Sequence, residues 1–281
     1  MTTILITRIT VTVTPRMIAT TTATPKEAMI TSTVTARTAP TTTLTATNMD
    51  MTDPEGDGGA PLPLFLWLSP GFPVGAFAYS HGLEWVVEAG DIADARSLEA
   101  WLIDLIEFGA PRSDAILFSV AFRFAAAADW PALIESSALA VALSPSAERR
   151  LETTAQGAAF VAAARAAWDC EPLRRLDRAP EGRIAYPTAV AAAASGQGLP
   201  LLASLEAFAL AQAANLVSAA LRLGPIGQTD GQRVLVALLP AIRALARAAH
   251  GASLDDLGGA AIRSDIAAMR HENQYSRLFR T

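Results

Sequence analysis

Three short segments concentrate the side chains that could do chemistry. The first holds His81, Glu84 and Glu88. A helix capped by Ser80, with Leu83, Val86 and Val87 as its apolar stripe, puts Glu84 and Glu88 four residues apart on one outward face. Like charges at that spacing repel by roughly 0.2–0.5 kcal/mol. His81, three residues before Glu84, can offset part of this. The pair reads either as a solvated acidic face or as a site for a cationic group of a partner. His81 and Glu84 could also be two metal ligands, but no third ligand accompanies them. Pro70-Gly71 and Pro73-Val74-Gly75 make the preceding stretch a stiff, turn-rich loop.

The second segment runs from Leu223 to Arg233. Thr229 and Gln232 form a T-x-x-Q capping box that opens a helix. The box does not account for Gln228, Asp230 and Arg233 at the same turn. The third is the C-terminal end, Arg270 to Arg280, where Arg alternates with Tyr275, Leu278 and Phe279. Chain ends are usually polar and frayed. Arg, Tyr and Phe are enriched at interfaces, so this end reads as a docking element, with packing on its own body as the alternative.

Other chemistry lacks its parts. Gly224 to Gly231 superficially looks like a phosphate loop, but the chain's only lysine is Lys26. A Walker-type hydrolase needs that lysine at the phosphates. Neither a G-x-S-x-G elbow nor an H-E-x-x-H zinc motif occurs. The one cysteine, Cys170, excludes a disulfide scaffold and a Cys-built zinc site. It reads as an inert small side chain. With only His81, His250 and His271 as histidines, a multi-His metal centre is not expected. The net charge of −5 argues against a nucleic-acid binder that relies on a basic surface.

The elements that must position these residues read as helices. Leu98, Leu102, Leu105 and Ile106 follow helical spacing behind a Ser97 cap. Ala115 to Phe124 continues after Gly109-Ala110-Pro111. Asp129 precedes a helix with Pro131 in its first turn. Ser144-Pro145 predicts another helix start, running to about Trp168. Residues 171–183, charged and with two prolines, read as a loop. Helices follow at about Ala185–Ser195 and along Leu201, Leu205, Phe208, Gln212 and Leu216, the latter closed by Gly224-Pro225. The next stripe is Leu235, Leu238, Leu239, Ile242, Leu245 and Ala249, and Ser253 starts the last helix. No membrane span is expected. Residues 184–205 are broken by Pro and Gly, and 207–221 fall short of the roughly 20 residues a span needs.

Residues 1–53 are a different kind of sequence, with 20 threonines and the single lysine. They carry 4 basic and 3 acidic side chains, against 18 and 24 in the rest. A low-complexity threonine tract lacks the apolar area to offset its ordering entropy. Residues 1–60 are therefore expected to be a disordered extension, or a start read too early with Met49 or Met51 as the true first residue. The tract's few acidic residues also suit an organellar transit peptide. Residues 61–281 are expected to form one all-α helical-bundle domain.

Together the three segments resemble the urease accessory protein UreF family. Ser69 to Glu84 fits S-P-x-x-P-V-G-x-F-x-Y-S-x-G-L-E, Gly227 to Gln232 is G-Q-T-D-G-Q, and His271 to Arg280 fits H-E-x-Q-Y-S-R-L-F-R. Ala76 and Ala78 depart from the usual glycine and small hydroxyl residue, and Thr281 from a terminal serine. Residues 91–222 match only in helical pattern, and the threonine-rich leader matches nothing. The resemblance implies a non-catalytic, cytoplasmic, homodimeric assembly factor that helps nickel insertion into the urease apoprotein. Its partners would be the scaffold UreD (also called UreH) and the GTPase UreG. It would bind no cofactor directly, nickel being handled by the partners, and no nucleic acid. Carried onto this chain, the partner-binding residues would be Tyr79, His81 and Glu84 in the first segment. Gln228, Asp230 and Arg233 would follow in the second, and His271, Glu272, Tyr275, Ser276, Arg277, Leu278, Phe279 and Arg280 in the third. An alternative role is GTPase activation, with Arg233, Arg277 or Arg280 as an arginine finger.

Overall fold

Caps and apolar stripes set a series of helices that the computed structural model describes over residues 61–180 and 182–280. The expectations for residues 1–60 lie outside the described residues. Among the described residues all regular structure is helical. In chain order the α-helices are α1 (Leu62–Trp67), α2 (Leu83–Glu88), α3 (Ala95–Phe108), α4 (Ala110–Ala126), α5 (Trp130–Ala142) and α6 (Ala147–Trp168). They continue with α7 (Glu171–Leu176), α8 (Tyr186–Gly196), α9 (Leu201–Leu223), α10 (Gln228–His250) and α11 (Ile262–His271). Single 3₁₀ turns lie at Ala76–Ala78 and Leu254–Asp256.

Helix α8 runs through the middle. Every residue from Pro187 to Ala194 is buried, so the helix is covered all round by α4, α6, α7 and α9. A run of alanines makes this possible, because small side chains let neighbouring helices approach on every side. Beside it, Trp67, Phe118, Phe160, Tyr186 and Phe208 form a linked cluster of rings with centroids 5.2–6.0 Å apart. Helix α9 packs against α10, which in turn packs on α3.

The α3 stripe is as the sequence predicts: Leu98, Leu102, Leu105 and Ile106 are all buried. Several boundaries differ, each for a local reason. The cap of α3 is Asp94, whose Oδ1 accepts from Ser97 N at 2.8 Å, and Ser97 Oγ accepts in return from Asp94 N. Ser97 is thus the far partner of the box. Helix α6 is capped by Ser146, accepting from Arg149 N, and not by Ser144. Residues 171–176 form α7 where a loop is expected, because Pro172 sits in the first turn and Leu173 and Leu176 are completely buried. Helix α10 begins at Gln228 behind Gly227, so Thr229 lies inside the first turn and makes no cap bond. Its buried stripe holds Val234, while Leu235 is only half-buried. Ser253 caps only a 3₁₀ turn, and the last helix starts later, at Ile262.

Helix α9 is one unbroken helix of 23 residues, longer than the uncharged pieces read from the sequence. By length and composition it could cross a membrane. It buries Leu205, Phe208, Leu216 and Val217 and carries Gln212 against Asp114 of α4.

Candidate functional site

The first and third segments meet on one carboxylate. His81 and Gly82 both take left-handed backbone conformations, φ 57° and 77°. A Cβ on Gly82 would stand 2.7 Å from Ala268 N in α11, so only glycine lets α11 lie against this turn. The turn aims Glu84 inward. Glu84 is 7% exposed, so the outward acidic face expected for it does not exist, and only Glu88 is on the surface. Ser80 Oγ lies 3.5 Å from Glu84 N, a weak cap at best.

The C-terminal segment folds back onto Glu84. Leu278 N donates to Glu84 Oε1 at 2.6 Å and Phe279 N to Oε2 at 2.9 Å. His271, completely buried, lies 3.1 Å from Glu84 through Nε2 and 2.6 Å from Glu148 of α6 through Nδ1. Arg277 bonds the other oxygen of Glu148 at 2.6 Å. Arg280 N donates to Ala78 O at 2.8 Å. Glu272 accepts from Ala147 N at 2.8 Å and Glu148 N at 3.4 Å, so the tail helps cap α6. Gln274 bonds Glu88. Arg222, at the end of α9, lies between two rings, 3.6 Å from the Phe77 centroid and 4.2 Å from that of Phe279.

The expected site residues therefore fall into four groups, with His81 apart from the other three. Tyr79, Glu84, His271, Glu272 and Phe279 are packed inside or along the clasp. Burial pushes the Tyr79 hydroxyl above its usual range and the Glu152 charge adds to this, while Arg280 opposes it. Tyr275, Ser276, Arg277, Leu278 and Arg280 stay exposed on the pinned segment, Tyr275 fully and Leu278 at 63%. Gln228, Asp230 and Arg233 sit apart on the first two turns of α10, with Arg233 paired to Asp230 at 3.0 Å. Glu148 and Arg222, which complete the clasp, were not expected.

His81 points elsewhere. Its Nε2 meets Glu152 Oε1 at 2.7 Å, Arg149 pairs with the same carboxylate, and Gln156 donates to it at 2.9 Å. Burial pushes the Glu152 carboxyl up, but Arg149 and His81 together hold it lower, at about 2. This group lies at one end of a cleft of about 210 Å³ walled by Phe72, Phe77, Tyr186 and Phe208. Among the described residues no group of three His, Cys, Asp or Glu side chains is placed to hold a metal ion.

Residues 92–239 match the family model described as UreF. The chain belongs to the UreF family. It is 58% identical over 220 residues to the urease accessory protein UreF of Xanthobacter autotrophicus, covering 78% of this chain and 90% of that one. It is 55% identical over 231 residues to the namesake from Azorhizobium caulinodans, covering 79% and 97%. Against that of Methylorubrum populi it is 51% identical over 220 residues, covering 78% and 98%. Family membership agrees with the three segments from which the resemblance was read. All the members named here are accessory proteins rather than enzymes by name.

Proposed function

We propose that this chain is a non-catalytic assembly factor for urease, acting in the cytoplasm as a homodimer. It bridges the scaffold UreD/UreH and the GTPase UreG while nickel passes to the urease apoprotein, and binds no cofactor itself. The observation that carries the reading is kinship to chains named urease accessory protein. The clasp supports it. Hydrogen bonds hold the backbone of residues 278–280 while the side chains of Tyr275 and Leu278 stay exposed. A fixed backbone presenting an exposed ring and leucine loses little entropy on binding, as a docking element requires.

The test is co-purification of the tagged full-length chain with the scaffold and the GTPase. Tyr275→Ala with Leu278→Ala should abolish scaffold capture and leave helicity unchanged. Undiminished capture by that double variant removes the tail from the interface. The second reading is GTPase activation by an arginine. Arg233 has the most exposed guanidinium of the paired arginines, at 76%, whereas Arg277 is tied to Glu148. GTP turnover of the GTPase with and without this chain separates the two readings, since a finger would accelerate it by ~10³–10⁵.

A further inference from the structure

One cleft lies between α1, α4, α6, α8 and α9, and the proposed docking role does not use it. Its walls are aromatic, from Trp67, Phe72, Phe77, Tyr186 and Phe208. At about 210 Å³ it exceeds the ~150 Å³ of an engineered cavity that accepts benzene. Packed helical interiors rarely leave such space.

The charges at one end of the cleft are settled among themselves. Arg149 and His81 stand with Glu152 and Asp114, and each of the two acts on both carboxylates. Nothing there calls for an ion. The groups left over are uncharged. Trp67 is completely buried, and its indole N–H finds no acceptor among the described residues. Gln212 donates from Nε2 to Asp114 at 3.1 Å, but its Oε1 is buried and finds no donor. The Tyr186 hydroxyl makes no hydrogen bond among the described residues, and burial alone pushes it above its usual range. One donor, one acceptor and one hydroxyl thus line the same aromatic cleft without partners. Leaving such groups unpaired away from water is unfavourable, so an occupant that pairs them is favoured. A phenolic hydroxyl carries the matching set: one proton for Gln212 Oε1, and lone pairs for the N–H of Trp67 and the O–H of Tyr186.

We propose that the cleft binds a neutral aromatic ring bearing one group that both donates and accepts hydrogen bonds, a phenol being the simplest case. The ring packs among Phe72, Phe77, Tyr186 and Phe208. Phe77 also carries the ring on which Arg222 stacks beside Phe279, so the cleft and the clasp share one wall. The site goes beyond the docking role while touching the same tail.

Ligand-observed NMR and calorimetry on the full chain, with no partner protein present, compare p-cresol, toluene, benzylammonium and benzoate. p-Cresol should bind at least about tenfold more tightly than each of the other three. Tyr186→Phe and Gln212→Met remove one polar group each and keep most of the bulk. Each should weaken p-cresol about tenfold and leave toluene unchanged. Ala211→Phe, which puts a ring into the cleft wall, should abolish binding of p-cresol. N-acetyl-tyrosinamide distinguishes the source. Its binding points to a tyrosine of another protein, and binding of p-cresol alone points to a free metabolite. Equal binding of p-cresol and toluene, preference for either ion, absence of binding, or undiminished p-cresol affinity in folded Tyr186→Phe, Gln212→Met or Ala211→Phe protein would each overturn the proposal. The wild-type series decides the matter even where a variant does not fold. Because no partner enters the assay, its failure leaves the docking role untouched.

Discussion

Substituting Glu84 by Gln should open the C-terminal clasp without unfolding the helices. The carboxylate is 7% exposed and takes bonds from Leu278 N, Phe279 N and His271 Nε2 at 2.6, 2.9 and 3.1 Å. An amide of the same size keeps one acceptor oxygen and sets its NH₂ against donors. Each hydrogen bond to a charged group contributes about 1.5–3 kcal/mol. Allowing for relaxation of the freed segment, a loss of about 3 kcal/mol in the closing of the tail follows, or roughly 150-fold in the closed-to-open ratio. Native-state hydrogen exchange reads this directly at two amides. Exchange of Leu278 and Phe279 should accelerate by about two decades, while α8 and α9 keep their protection. Unchanged protection at both amides would refute the role assigned to Glu84. A uniform loss across α8 and α9 would show that the carboxylate supports the whole fold rather than the tail.

Other outcomes follow from the same geometry. Gly82→Ala should cost well over the ~1–2 kcal/mol of a left-handed alanine, because its Cβ would meet the Ala268 backbone. Gly75→Ala, at φ 74° with nothing within 4 Å of the added carbon, should cost only about that strain, and urea midpoints compare the two. The Glu152 carboxyl is depressed to about 2 from an unfolded value near 4.5. Its stabilisation is therefore complete above pH ~4.5 and lost as pH falls through ~2, about 3 kcal/mol in all. The stability gap between wild type and Glu152→Gln should shrink across that window, and a gap independent of pH would contradict the assignment. Purified without its scaffold, the chain should run as a poorly soluble oligomer in size-exclusion chromatography, and a freely soluble monomer would count against the proposed docking surfaces.

The sequence was most legible where a signal is local. The stripe Leu98, Leu102, Leu105 and Ile106 needs only the helical period, and all four residues are buried. The Asp129 cap with Pro131 behind it also stands as read, since cap and proline act within one turn. Adjacent hydroxyls were harder to rank. Ser144 and Ser146 both fit a cap, and the tail's Glu272 takes two further N–H groups of α6 from 125 and 124 residues away. Helix α7 was misread because its prolines signal a turn, whereas the burial of Leu173 and Leu176 that sustains it is tertiary. Glu84 shows the limit most plainly. Its local neighbours, His81 and Glu88, suggest a surface face, but its actual partners are 187 to 195 residues distant. The three motifs marked the right chain segments. Which of their side chains turn inward and which remain for a partner was set by contacts that no spacing reveals.

The most direct measurement is urease activity in cells that lack this gene, with and without the wild-type chain restored. The account predicts that the deletion abolishes urease activity, although urease polypeptide still accumulates, and that the wild-type chain restores it. Unchanged urease activity in the deletion strain would contradict it.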